Sequence, residues 1–108
     1  MTNISFEEFK KLDIRVGKIT SAEAIPNSQK LLKINVDIGS ESRQIIAGIA
    51  TVYKPKDLVG KNFVVLTNLE PKKFMGLESQ GMILCAESNS EPVCLTSLKD
   101  VPAGSKIL

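Results

Sequence analysis

The clearest pattern in the chain lies between Leu32 and Ile38. Leu32, Ile34, Val36 and Ile38 fall on one side of a two-residue period, with Lys33, Asn35 and Asp37 on the other. A strand with one face on a core and one in solvent has this pattern. A second two-residue period begins at Asp13, where Ile14 and Val16 alternate with Asp13, Arg15 and Gly17. It predicts a strand in which Gly17 marks a bulge. Apolar runs predict further strands over Arg43–Ile49, Asn62–Leu69 and Met82–Ala86, with edge pieces at Val93–Leu95 and Lys106–Leu108. Pro26-Asn27-Ser28 and Gly39-Ser40-Glu41 are turn clusters. Tyr53–Gly60 reads as a polar loop around Pro55, and Pro71 and Gly76 bracket a basic loop holding Lys72 and Lys73.

Only the N-terminus departs from the two-residue period. Ser5-Phe6-Glu7-Glu8 is a capping-box pattern, with Ser5 as the cap and Glu8 reaching back. Phe6, Phe9 and Leu12 then share one face of a short helix. A helix this short does not hold itself together in water and must dock on other structure. Several short strands with turns between them and little helix predict an all-β barrel or sandwich. The strand count fits a five-stranded OB-fold barrel with a short N-terminal helix and terminal extensions. Periodicity alone also admits an SH3-like barrel. No internal repeat, low-complexity tract or linker interrupts the pattern, so residues 1–108 are expected to form one domain.

Composition narrows the chemistry. Fourteen Lys and Arg stand against twelve Asp and Glu, a formal charge of only +2. So small an excess does not announce a nucleic-acid ligand, and the positions of the charges must carry that argument. The chain contains no His. Histidine general acid–base catalysis, His-activated nucleophiles and His metal ligation are therefore excluded. Two cysteines, Cys85 and Cys94, are too few for a disulfide framework and cannot complete a tetrahedral zinc site. The glycines are scattered singly, with no phosphate-binding loop or dinucleotide fingerprint. No enzyme, cofactor or metal is expected. Charges at Glu7, Glu8, Lys10 and Lys11 argue against a secretory leader, and the longest apolar stretch, Ile45–Ala50, is too short to span a bilayer. A reduced, cytoplasmic protein is expected, and Met1 so close to the helix cap fits a free-standing chain.

Leu12-Asp13-Ile14-Arg15-Val16-Gly17-Lys18-Ile19 resembles the opening signature of the tRNA-binding domain family. This family includes the C-terminal domain of bacterial methionyl-tRNA synthetase, free-standing tRNA-binding proteins and a domain of an endothelial-monocyte-activating cytokine precursor. Similar segments follow in order: Leu31-Leu32-Lys33, Val36-Asp37-Ile38-Gly39, Arg43 to Ile49, Leu58-Val59-Gly60-Lys61, Asn68-Leu69-Glu70-Pro71 and Ser79 to Ala86. The resemblance runs from about Phe6 to Ile107. One departure is the segment Ile25-Pro26-Asn27-Ser28-Gln29-Lys30, which lacks the His and the acidic residue many members carry there. The resemblance implies an OB fold, a homodimer, and tRNA gripped by shape and backbone beside methionyl-tRNA synthetase. A more distant likeness, to export chaperones of the same fold that bind extended peptides, supplies the alternative.

The candidate RNA contacts each have a plainer reading. Lys33 and Asn35 lie on the polar side of the best-defined strand, where a solvated side chain is the ordinary explanation. As contacts, Lys33 neutralises a phosphate and Asn35 hydrogen-bonds beside it. Arg43 offers a planar fork for phosphate or a base. Its alternative is an ion pair with Glu41. Lys72 and Lys73 supply loop charge. Ser79 and Met82 are brought in by the resemblance: the hydroxyl suits phosphate or a ribose 2′-OH, and the thioether suits a base or ribose face. A turn Ser and a core Met are the alternatives. Asp13 and Arg15 are expected to pair structurally. With four Phe, one Tyr and no Trp, a row of stacked bases is poorly supported, which favours folded RNA over a single strand.

Overall fold

The computed structural model describes residues 2–108. Five antiparallel strands form a nearly closed barrel: β1 (Ile14–Ala24), β2 (Leu32–Asp37), β3 (Ser42–Ala47), β4 (Asn62–Leu66) and β7 (Met82–Ile83), in the order β3-β2-β1-β4-β7. Two hairpins decorate it, β5 (Lys72–Phe74) with β6 (Leu77–Ser79), and β8 (Cys85–Ser88) with β9 (Glu91–Cys94). The two helices, α1 (Phe6–Phe9) and α2 (Pro55–Leu58), have one turn each.

The inward side of β2 follows the sequence pattern. Leu32, Ile34 and Val36 are at most 1% exposed and pack with Ile19, Ile45, Leu58, Phe63, Val65 and Ile83 in one core. Ile38 is buried as well, just beyond the strand end. The long β1 serves two neighbours. Its first half pairs with β4 from Ile14↔Leu66 to Lys18↔Asn62, and its second half pairs with β2 from Lys18↔Asp37 to Ala24↔Leu32. To change partners the strand bends, and the bulge falls between Ile19 and Ser21, where Thr20 bonds its hydroxyl to the Asn35 carbonyl at 3.2 Å.

Gly17 is not that bulge. It lies inside the β1–β4 ladder opposite Phe63, and a Cβ there would stand 2.3 Å from Val36 Cγ1. Absence of a side chain lets the inward Val36 close onto the β1 backbone. Residues 104–107 run beside the free edge of the same half-strand. Val16 N–H donates to the Ser105 carbonyl at 2.8 Å and Ile107 N–H to the Ile14 carbonyl at 2.9 Å, so the expected C-terminal edge piece is present as a bridge at Lys106.

Two loop readings give way to regular structure, and one expected strand is divided. The Tyr53–Gly60 loop contains α2, whose Pro55 occupies the first turn, where a missing N–H costs nothing. Leu58 on that turn is 1% exposed and plugs the barrel. The basic Pro71–Gly76 loop is the β5–β6 hairpin, turned by Met75 and Gly76 at φ 52° and 81°. Two successive positive φ values match the twist of the flanking strands, but Met is an unusual first residue and hides the signal. Met82–Ala86 is divided into β7 and β8 at Leu84, whose N–H reaches the Val64 carbonyl at 2.9 Å. The β8–β9 turn, Asn89-Ser90, also has two successive positive φ values, 51° and 65°.

The N-terminal cap forms as its pattern predicts: Ser5 Oγ accepts from Glu8 N–H at 3.1 Å, and the Glu8 carboxylate reaches back to the Ser5 N–H. Docking of α1 is shallow. None of its residues is buried, and Phe6 is 68% exposed. Phe6, Phe9 and Leu12 meet the tail residues Ile107 and Leu108 around an open apolar groove of about 280 Å³. Asn68 holds the chain behind the helix, donating to the Lys11 carbonyl at 2.6 Å and accepting from Asp13 N–H at 2.8 Å.

Candidate nucleic-acid interface

Strand pairing places the polar side of β2 on the outer barrel surface between β1 and β3. Lys33 sits between Glu23 and Ile46, and Asn35 between Ser21 and Gln44. Paired residues share a face, so these form two cross-strand rows. The Lys33 ammonium lies 2.7 Å from the Glu23 carboxylate, and Asn35 Nδ2 donates to Ser21 Oγ at 2.9 Å. Both side chains are half-buried and oriented by β1. Glu23 holds the Lys33 charge in place and partly neutralises it, a partner that strand periodicity alone does not reveal.

Next to that face the β5–β6 hairpin crosses Ile46. A groove of about 200 Å³ opens there, lined by Ile46, Leu69, Lys72, Phe74, Ser79 and Met82, among others. Lys72 and Phe74 project to the same side of β5, with Lys72 Nζ 5.2 Å from the Phe74 ring centroid. Such contact orients the ammonium at the rim while its stem covers apolar surface. Lys73 points to the opposite side, across from Glu78, so strand alternation divides two adjacent lysines. Among the described residues, no carboxylate lies within ion-pair distance of either. Met82 is 43% exposed at the groove edge. The groove members Ile46, Leu69 and Phe74 escaped sequence reasoning. Phase with Lys72 marked Phe74, but that signal appears only once 72–74 is known to be a strand.

Arg43 and Ser79 do other work in the fold. Arg43 pairs with Glu41, its plainer reading, and also donates to the Thr67 carbonyl at 2.9 Å and the Gln80 carbonyl at 3.1 Å. Ser79 is 4% exposed; its hydroxyl accepts from Ile46 N–H and donates to the Gly81 carbonyl, both at 3.0 Å. Gln80 N–H reaches the Gln44 carbonyl at 2.8 Å, while Gln44 Nε2 reaches the Glu78 carbonyl at 2.8 Å. Together these bonds close the seam between β3 and the segment Glu78 to Gly81, where no regular ladder forms. Ser79 therefore floors the groove with its hydroxyl both accepting and donating within the fold, and Arg43 commits Nε and Nη1 to the seam while Nη2 makes no hydrogen bond among the described residues. Asp13 and Arg15 pair at 2.8 Å, and Arg15 also donates to the Gly104 carbonyl at 3.1 Å, the structural role expected of them.

Lys33, Asn35, Lys72 and Met82 thus lie on one continuous stretch of surface, with Lys73 turned away on the hairpin. Among the described residues no cluster of three or more His, Cys, Asp or Glu is placed to hold a metal ion, and no helix is long and apolar enough to cross a membrane.

A five-stranded barrel of this order, with a polar strand face beside a lysine-rimmed groove, defines a small OB-type binding module. The chain belongs to the tRNA-binding domain family: its family model, described as "Putative tRNA binding domain", matches residues 14–106. The methionine–tRNA ligase of Archaeoglobus fulgidus is 53% identical over 104 residues, which are 96% of this chain and 16% of that protein. The chain therefore spans about a sixth of the length of such relatives. A MetRS-related protein from Pyrococcus horikoshii has the same fold, with TM-score 0.93, 39% identity and full coverage of both chains. The chaperone CsaA from Bacillus anthracis is also similar, with TM-score 0.90 and 31% identity over 99% of this chain and all of that one.

Proposed function

We propose that this chain grips tRNA by shape and backbone, largely without reading sequence, and raises the local tRNA concentration at methionyl-tRNA synthetase. One observation carries the reading: Lys72, which forms no ion pair among the described residues although Glu70 lines the same groove, stands at the rim of an apolar groove that shares its surface with Lys33 and Asn35. Ammonium groups neutralise phosphates, and the groove between Phe74 and Met82 offers an apolar surface for a ribose or an unstacked base. Lys33, Asn35, Lys72, Lys73 and Met82 make the contacts, while Arg43 and Ser79 hold the surface in shape. None of these groups identifies a base sequence. The synthetase keeps tRNA identity and chemistry, and tethering adds affinity through effective concentration. The chain itself performs no reaction and works in the cytoplasm as one module. A second copy docks on the open apolar face of Phe6, Phe9, Leu12 and Leu108, giving a symmetric homodimer.

Likeness to the chaperone CsaA, together with the apolar lining of the groove, supports a second reading, in which an extended peptide occupies the same surface. Gel shifts with bulk tRNA, run beside binding of an unfolded peptide, separate the two. The proposal expects tRNA to bind, with log affinity falling against log salt by about 0.7–0.9 per phosphate neutralised. Peptide binding with no tRNA shift would support the chaperone. Light scattering at micromolar concentration checks the dimer, and a monomer throughout would remove it.

A further inference from the structure

We propose that Cys85 and Cys94 form a redox-modification site, which a neutral peroxide converts to an intrachain disulfide tying together the base of the β8–β9 hairpin. Nothing in the tRNA reading uses these residues, and the site stands apart from that surface. The two cysteines face each other directly in the β8–β9 register, with their sulfurs 3.7 Å apart, and both are free thiols. Their pairing is of the close type. Cys94 N–H donates to the Tyr53 hydroxyl at 3.1 Å instead of across the ladder, whereas the neighbouring Leu95 N–H bonds the Leu84 carbonyl at 3.1 Å. A pair at such a position brings its Cα atoms to about 4.5 Å, within the span a disulfide tolerates. Side-chain rotation then brings the sulfurs to bonding distance with little demand on the backbone.

Access and charge select the oxidant. Cys85 lines an open recess of about 280 Å³ with Gly48, Pro92, Glu87 and Glu91. The two carboxylates repel anionic disulfides but admit a small neutral molecule such as hydrogen peroxide. Burial and the neighbouring Cys85 push the Cys94 thiol up to about 12, so Cys94 keeps its proton, and Cys85, which lines the recess, is the sulfur that meets the peroxide first. Cys85 sulfur attacks one peroxide oxygen and the O–O bond breaks. Hydroxide leaves, takes up the Cys85 proton as water, and Cys85 becomes a sulfenic acid. Cys94 sulfur then attacks Cys85 sulfur and the S–O bond breaks. The departing hydroxide takes the Cys94 proton as a second water. Two thiols and one peroxide give one disulfide and two waters, and the peroxide accepts the two electrons.

The test treats the whole chain with equimolar hydrogen peroxide, then alkylates it in denaturant and measures intact and peptide masses. The expected product has lost two hydrogens, has lost both alkylatable thiols together, returns to the starting mass with dithiothreitol, and melts several degrees higher than the reduced chain. Cys94→Ser should halt at a sulfenic acid on Cys85 that dimedone captures. The wild-type peptide map does not depend on how that variant folds. Disulfide-linked dimers, sulfinic acid on one cysteine with the other still free, or two thiols unchanged under peroxide that consumes free cysteine would each overturn the proposal.

Discussion

Two borders of the same strand are closed in different ways. On one side of β3, backbone bonds to β2 run in unbroken register from Leu32↔Ala47 to Asp37↔Ser42. On the other, the strand meets Glu78 to Gly81 through Arg43, Gln44, Ser79 and Gln80, with side chains supplying most of the bonds. A ladder uses groups every residue carries, so its outward side chains are left for other work. A seam made by side chains has less spare capacity, because the polar groups it uses are withdrawn from any ligand; of Arg43 only Nη2 is left over. Lys33 and Asn35 belong to the first border, Arg43 and Ser79 to the second. Residue type did not separate these pairs; the kind of closure beneath them does.

The largest effect expected of a single change is at the seam's turn. Gly81 has φ 144°, and a Cβ there would lie 2.9 Å from the Leu66 carbonyl oxygen. Gly81→Ala should cost about 2–4 kcal/mol of unfolding free energy in a urea melt. Next comes Ser79→Ala, which strands the buried Ile46 N–H and should cost about 1–3 kcal/mol. In the fraction that remains folded, the salt dependence of tRNA binding should match wild type. A changed slope with unchanged stability would return Ser79 to the ligand. Lys33→Ala should reverse the picture. Its half-exposed ion pair with Glu23 contributes little, so stability should move by less than about 0.5 kcal/mol, while different tRNAs weaken alike and the log–log salt slope falls by about one. Glu23→Gln should act in the opposite direction, freeing the Lys33 charge and tightening tRNA binding at low salt by roughly two- to fivefold, with the gain shrinking as salt screens it. Ser5→Ala should be the smallest. It removes the α1 cap far from either border, costs at most about 0.5 kcal/mol, the low end for a cap, in this exposed single turn, and leaves tRNA affinity as it was.

How far a region could be read in the sequence depended on how local its cause is. The two-residue period at Leu32–Ile38 showed β2 because alternation is a property of the strand itself, and Ser5 with Glu8 showed the cap because both partners lie within one turn. The β5–β6 hairpin was missed because its turn opens with Met75 instead of Asn or Gly, and α2 because it carries a single buried residue, Leu58. Gly17 was recognised as special but for the wrong cause. The bend in β1 occurs at Thr20, while Gly17 makes room for Val36, a residue nineteen positions away.

The sequence by itself determined the strand-rich barrel, the first helical turn, the lack of histidine chemistry and the likeness to the tRNA-binding family, since local periodicity, composition and ordered motifs carry all of these. Only the tertiary structure decided that Glu23 holds Lys33, that Lys72 and Lys73 face opposite ways, that Ser79 lies under the groove, and that Cys85 meets Cys94. Each of those facts depends on register between strands. A shift of one residue sends every side chain to the other face, and the turns and long-range packing that fix register leave only a faint trace in the chain read residue by residue.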